Sequence, residues 1–363
     1  MIQPIRQRKG RIGTLETARF LFIILIFLSH CVTDSNRSPF DFGGESGVAF
    51  FFVLSGFVLS LGYGQRVAEG SFNSRKFFIA RLARLYPLHL LTMLATLVLD
   101  SRLGITYSFG QILAHAFLVQ TWTASSFYIH ALNGVSWFLC DIIFFCAIFA
   151  LLYRWLMRCR VSRLCLFGAV LVVLYVPLAL QVPDDNVNET LYGYPLLRVI
   201  DFSLGIVLCR FWLSQRSQRI AERVERLSVV HATMLEILAA MAVVGAWALY
   251  VGMPKSLRCA SLFWPIMTFV TYVLAVADRG RGLLSRLMRL PLLMRLGGLS
   301  FEIYLVHLIM MRVCFHFLHM VYSGVSEAQV FVAAFFASVA VAWALERWFV
   351  TPIYNKVRGS LQR

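Results

Sequence analysis

Residues 15–32 read LETARFLFIILIFLSHCV, an apolar stretch long enough to enter a membrane and interrupted by Arg19 and His30. It follows a basic run (Arg6, Arg8, Lys9 and Arg11), as the core of a signal peptide would. No small-residue cleavage site comes after it, so the segment reads as a retained span. An ionisable side chain inside a span costs roughly 2.5 to 3.5 kcal/mol, which calls for a partner or a function. Arg19 and His30 are eleven residues apart, about three helical turns plus 20°, so both project from one face about 16 Å apart along the axis. One elongated ligand could touch both. Histidine is well suited to take a proton from a hydroxyl near neutral pH. Spacing alone leaves a second reading open, in which Arg19 reaches to headgroups and His30 caps a loop.

The rest of the chain extends this reading. Its 363 residues are 59% hydrophobic and only 14% charged, too little polar surface for a soluble particle. At ~20 apolar residues per span, the length holds about ten spans and no appended soluble domain. The fold class is therefore an all-α integral membrane protein of about ten transmembrane helices plus a re-entrant segment. The net charge of +16 does not indicate nucleic acid, because the basic residues punctuate the apolar segments. After the N-terminal cluster come Arg66, Arg75, Lys76, Arg81 and Arg84, then Arg154, Arg158, Arg160 and Arg163. Later clusters centre on Arg210 to Arg226, on Arg279 to Arg295, and on Lys356, Arg358 and Arg363. The positive-inside rule makes all of these cytoplasmic, along with both termini. Intervening loops carry Asp34, Asp41, Glu45, Asp100, Asp184, Asp185, Glu189 and Glu327 and face outward.

The predicted spans are Leu15 to Val32, Gly47 to Gly64, Leu85 to Leu99, Gly134 to Tyr153 and Leu164 to Val182. They continue as Pro195 to Trp212, His231 to Val251, Cys259 to Ala277, Gly298 to Leu318 and Val330 to Val350. Ile112 to Trp122 would break the alternation if it crossed, and reads as re-entrant or interfacial. Residues 1–14 form a basic cytoplasmic tail, 15–350 one transmembrane domain, and 351–363 a second basic tail. The eight cysteines contain no C-x-x-C pair and read as apolar filler, not as metal ligands. No internal repeat is evident, which weighs against a transporter built from duplicated halves.

Further polar residues sit in the later spans. Arg198 and Asp201, three apart, can pair on one helix face. Glu302, Tyr304 and His307 share another helix, and Trp137, Asp141 and Glu346 lie at or inside spans. Interhelical hydrogen bonding is the alternative role for each. Gly43 to Phe57, GGESGVAFFFVLSGF, brings glycines that permit close helix approach. Arg81 and Arg84, at the cytoplasmic mouth of the third span, present guanidinium forks suited to phosphates, or simply a topology signal.

Taken in order, these stretches resemble acyltransferase family 3, the membrane-bound acyltransferases that decorate bacterial polysaccharides and related acceptors. Arg19 to His30 is similar to the family's opening arginine, ten residues, then histidine. Gly47 to Phe57 resembles its G-V-x-x-F-F-V-L-S-G-F stretch, Arg81 to Arg84 its R-x-x-R motif, Arg198 to Gly205 its R-x-x-E-F-x-x-G with aspartate for glutamate, and Ser300 to His307 its late S-Y-x-x-Y-L-x-H helix. Two stretches depart. Asp141 comes one residue earlier than the acid of W-S-L-S-x-E, a displacement of about 100° around a helix. Glu346-Arg347 matches E-[RK]-P only in part, since the proline is delayed to Pro352.

The resemblance implies an O-acyltransferase of the cell (inner) membrane with no permanently bound cofactor. Acetyl-CoA, or another acyl-CoA, would be the donor, with phosphates near Arg81 and Arg84. Arg19 and His30 would be catalytic, His30 as general base or as nucleophile. Tyr304, His307, Trp137, Arg198 and Asp201 would orient the acceptor or the site. The acceptor would be a carbohydrate hydroxyl on an exopolysaccharide, its lipid-linked precursor or another cell-surface glycan. Partners would be the bilayer and polysaccharide-assembly proteins, with no nucleic acid. A multi-pass transporter or export component, using the intramembrane charges for substrate or proton passage, is the alternative.

Overall fold

The computed structural model describes residues 11–32, 38, 44–322 and 324–362, and the regular elements among them are all helical. Arg6, Arg8, Lys9, Asp34, Asp41, Gly43 and Arg363 lie outside the described residues. In chain order the α-helices are α1 Gly13–Ser29, α2 Gly44–Ala68, α3 Ser74–Arg102, α4 Phe109–Ala116, α5 Ser126–Ile129 and α6 Trp137–Arg158. Next come α7 Val161–Ala179, α8 Pro195–Trp212, α9 Gln215–Glu225, α10 Val229–Gly252, α11 Lys255–Arg258 and α12 Phe263–Ala277. The last are α13 Leu283–Met288, α14 Pro291–Gly298, α15 Ser300–Val321, α16 Glu327–Leu345 and α17 Thr351–Gln362.

Among the described residues, eight helices are long and apolar enough to cross a membrane, or nine if the segments Asp184–Tyr192 and Pro195–Trp212, bent by 54°, form one span. The tenth expected segment is α1, whose 17 residues sit at the short end of what a bilayer needs. The third span is longer than expected: α3 starts at Ser74 and runs for 29 residues. Asn73 caps it by accepting the Lys76 backbone N–H at 2.9 Å, no breaker follows for a dozen residues, and Pro87 is absorbed inside the helix. Arg81 and Arg84 therefore sit on the span itself, one turn apart on a shared face. The C-terminal segment 351–362 is also helical and continues α16 through a π-helical turn at Glu346–Val350.

The stretch Ile112 to Trp122 does not cross. It folds into α4 and a 3₁₀ turn at Gln120–Thr123. Ser108 and Gln111 form a capping box at its start. His115 is buried, donates from Nε2 to the Tyr128 carbonyl at 2.7 Å and accepts from the Ser136 hydroxyl at Nδ1 (3.2 Å). Burial pushes its pKa down to about 4, so the ring is neutral and fixes the segment as a hydrogen-bonding hub.

Helix α2 runs through the middle of the bundle and packs against α8 at two reciprocal glycines. A Cβ on Gly56 would overlap the Phe202 carbonyl oxygen, and one on Gly205 would overlap that of Val53. Without a hydrophobic driving force between helices in lipid, such backbone-to-backbone approach supplies the packing contact. Phe52, Phe145, Phe149 and Phe202, all fully buried, fill the space beside this crossing. Gly297 does the same for α14, where a Cβ would strike the Glu16 carbonyl of α1.

Candidate active site

His30 stands at the C-cap of α1. Its Nδ1 lies 2.7 Å from the Ile26 carbonyl oxygen, which can only accept, so Nδ1 carries the proton and Nε2 the lone pair. The helix end thus selects the tautomer in which Nε2 is the basic atom. His30 lines a cavity of 420 Å³ together with Glu45, His130, Trp137, Tyr192, Tyr304 and Arg312. Its ring packs edge-on to that of His307, with centroids 5.0 Å apart. His307 is fully buried, and its Nδ1 donates to the Tyr304 carbonyl at 2.6 Å. Its Nε2 lone pair has no hydrogen-bond partner among the described residues. Tyr304 donates its hydroxyl to the Val135 carbonyl at 2.7 Å, and Asn133 donates to the Leu305 carbonyl at 2.9 Å. These two bonds pin the segment after α5 onto α15 and set one wall of the cavity.

A second cavity, of 230 Å³, opens toward the other end of the bundle, where α1 and α3 begin, and is lined by Arg19, Arg81, Arg84, Ser55, Phe138 and Phe301 among others. Arg19 pairs with Glu16 at 3.3 Å. Arg81 donates to the Tyr63 hydroxyl at 3.1 Å and lies over the rings of Tyr63 and Phe77. Arg84 is held by two carboxylates, Glu346 at 2.6 Å and the fully buried Glu302 at 3.0 Å. Ile26, Val48 and Tyr304 line both cavities and form the partition between them.

The structure brings His30, Trp137 and Tyr304 to one cavity, with His307 packed on His30, and places Arg19 in the other cavity, which it shares with Tyr304. Arg198 and Asp201 line neither cavity. They form a wholly buried pair at 3.4 Å, with the Trp264 indole donating to Asp201 at 3.1 Å. The Arg198 guanidinium lies 5.0 Å from the Phe52 ring centre and 5.6 Å from that of Tyr192, so the pair backs the aromatic residues without lining the His30 cavity. Asp141 is buried as well. Glu302, grouped in sequence with Tyr304 and His307, turns away from them to Arg84. Sequence reasoning passed over Arg312, which lies inside the predicted span Gly298 to Leu318. The insertion cost applied to Arg19 would have singled it out.

The site is thus a helical bundle with two cavities that share Ile26, Val48 and Tyr304, a histidine lining one and three arginines the other. Residues 12–347 match the model of the acyltransferase 3 family, described as an acyltransferase domain, and the chain belongs to that family. It is 31% identical over 332 residues, 84% of this chain and 80% of the other, to "Acyltransferase MdmB" of Streptomyces mycarofaciens. A shorter match, 37% over 79 residues, covers 22% of this chain and 40% of "Protein 2 in picA locus" of Rhizobium radiobacter. No solved structure matches. The protein is a multi-pass membrane acyltransferase, and family membership decides for group transfer over transport.

Proposed function

We propose that the protein moves an acyl group, most simply acetyl, from acyl-CoA entering the arginine-lined cavity to a carbohydrate hydroxyl entering the His30 cavity. The observation that carries this reading is the partition: His30 lines one compartment, Arg19, Arg81 and Arg84 line the other, and Ile26, Val48 and Tyr304 line both. Arg81 and Arg19 receive the donor's phosphates, with Arg84 completing the cationic wall while anchored by its carboxylates. By the positive-inside rule the arginine cavity and both termini face the cytoplasm of the cell (inner) membrane.

In the direct route, His30 Nε2 removes the acceptor's hydroxyl proton as that oxygen attacks the thioester carbonyl. The tetrahedral adduct collapses, the C–S bond breaks, and the departing CoA thiolate takes the proton from His30. His307, whose ring packs edge-on against that of His30, sets the polarity around the imidazolium that forms. The test is transfer of radiolabel from acetyl-CoA to host surface glycans by wild type and by a His30→Ala variant inserted at equal level. Label lost only in the variant supports the reading. Equal labelling sinks His30 as the base, and no labelling in either sinks acetyl-CoA as donor or glycan as acceptor.

A further inference from the structure

One group in the His30 cavity is not used by this mechanism. Arg312, on α15, lies five residues beyond His307 and so about 7.5 Å further along the helix, away from the arginine cavity. Its Nη1 donates to both carboxylate oxygens of Asp100, at 2.8 and 3.0 Å. Asp100, near the end of α3, is fully buried and also accepts the Tyr107 hydroxyl. The arginine side chain itself remains 39% exposed and contributes to the cavity wall. A guanidinium has five N–H donors in a fixed plane. Asp100 occupies one nitrogen, and among the described residues Nη2 and Nε make no hydrogen bond. Held from behind at Nη1, they are available to the cavity.

The charge balance indicates what they hold. Asp100 already neutralises Arg312, and the same cavity carries Glu45, whose carboxylate accepts the Tyr250 hydroxyl at 2.9 Å. Among the described residues, an anionic acceptor would meet a wall with no surplus of fixed positive charge, whereas neutral hydroxyl or ring oxygens would meet directed donors. Trp137, Tyr192 and Tyr304 add aromatic surface to the same wall. We propose that Arg312, preset by Asp100 and Tyr107, is the acceptor-positioning residue: it binds oxygens of an uncharged polyhydroxylated acceptor about one sugar unit from the hydroxyl presented to His30. This inference rests on the carbohydrate reading above and adds to it that the acceptor is neutral where it meets Arg312.

The purified enzyme, in a detergent that is not a glycoside, would be assayed with labelled acetyl-CoA and two probes, octyl β-glucoside and octyl β-glucuronide. Wild type is expected to have the lower KM for the glucoside. Arg312→Met is expected to raise that KM about tenfold or more, the loss of a charge-assisted hydrogen bond, with the KM for acetyl-CoA unchanged. Asp100→Asn leaves the guanidinium uncompensated and is expected to shift preference toward the glucuronide. A wild type that prefers the glucuronide, or an Arg312→Met enzyme whose glucoside KM matches wild type, overturns the inference while leaving carbohydrate transfer standing. If Arg312→Met and Asp100→Asn lose stability alike and neither changes acceptor preference, Arg312 only ties α15 to α3 and the inference fails. Acetyl transfer to neither probe by wild type removes the carbohydrate reading and this inference together.

Discussion

Replacing Arg84 with methionine separates two jobs that the structure gives to one side chain. Arg84 on α3 joins Glu302 of α15 and Glu346 at the π turn after α16. Glu302 is wholly shielded from solvent, whereas Glu346 is 27% exposed and can be hydrated. Removing the shared cation leaves the Glu302 carboxylate buried without a counter-charge, and breaking such a pair costs about 3 to 5 kcal/mol. The exposed Glu346 side adds at most about 1 kcal/mol. If the cost comes from the stranded carboxylate, Arg84→Met combined with Glu302→Leu recovers most of it, since an apolar pair of similar volume fills the site. Donor binding would not recover, because neither replacement restores a cation to the cavity that holds Arg19 and Arg81. The assay is a double-mutant cycle: unfolding in detergent for stability, and KM for acetyl-CoA for donor binding, expected to rise about tenfold in both the single and double variants. An Arg84→Met protein as stable as wild type would refute the stability argument. A double variant with wild-type KM for the donor would refute the placement of phosphates beside Arg84.

Gly205→Ala is expected to destabilise the bundle and abolish activity, because the new methyl meets the Val53 carbonyl oxygen and forces α2 away from α8. Gly245→Ala on α10, with no atom within 4 Å of the added Cβ, serves as the control and should unfold like wild type. His307→Phe keeps a ring against His30 but removes both nitrogens. It is expected to lower kcat about a hundredfold, within the range of acid–base assistance, and to shift the limb of the pH profile set by His30, with the donor KM unchanged. A loss of kcat with an unmoved pH profile would leave His307 a packing role only.

The spans were legible because a bilayer imposes one length and one composition on every crossing, and the basic clusters mark where crossings stop. The start of α3 was not, because hydropathy reads Arg75 to Arg84 as a loop, whereas the Asn73 cap and an unbroken helix former run carry it as helix. The stripe shared by Arg19 and His30 was also legible, but its meaning was not. A helix face records direction and rise, whereas cavities arise between helices, and α2 and α15 place Val48 and Tyr304 across the stripe at the level of Ile26.

Helix arithmetic could have gone further along α15. Glu302 is about 160° from Tyr304 around the axis and about 140° from His307, so it cannot share their face. Its only route to a partner is a different neighbour, and α3 supplies Arg84. His307, by contrast, is about 60° from Tyr304, and Arg312 is about 80° from Tyr304 and two turns along. One helix thereby touches each compartment: Glu302 pairs with Arg84, Tyr304 lines both cavities, His307 packs on His30, and Arg312 lines the His30 cavity. An axial or rotational shift of α15 would change the Arg84 ion pair, the partition and the His30 to His307 contact together. Under the proposed reading, donor binding and acceptor binding are then expected to be coupled, with the Glu302–Arg84 and Arg312–Asp100 ion pairs to α3 setting the position of α15 against which that coupling works.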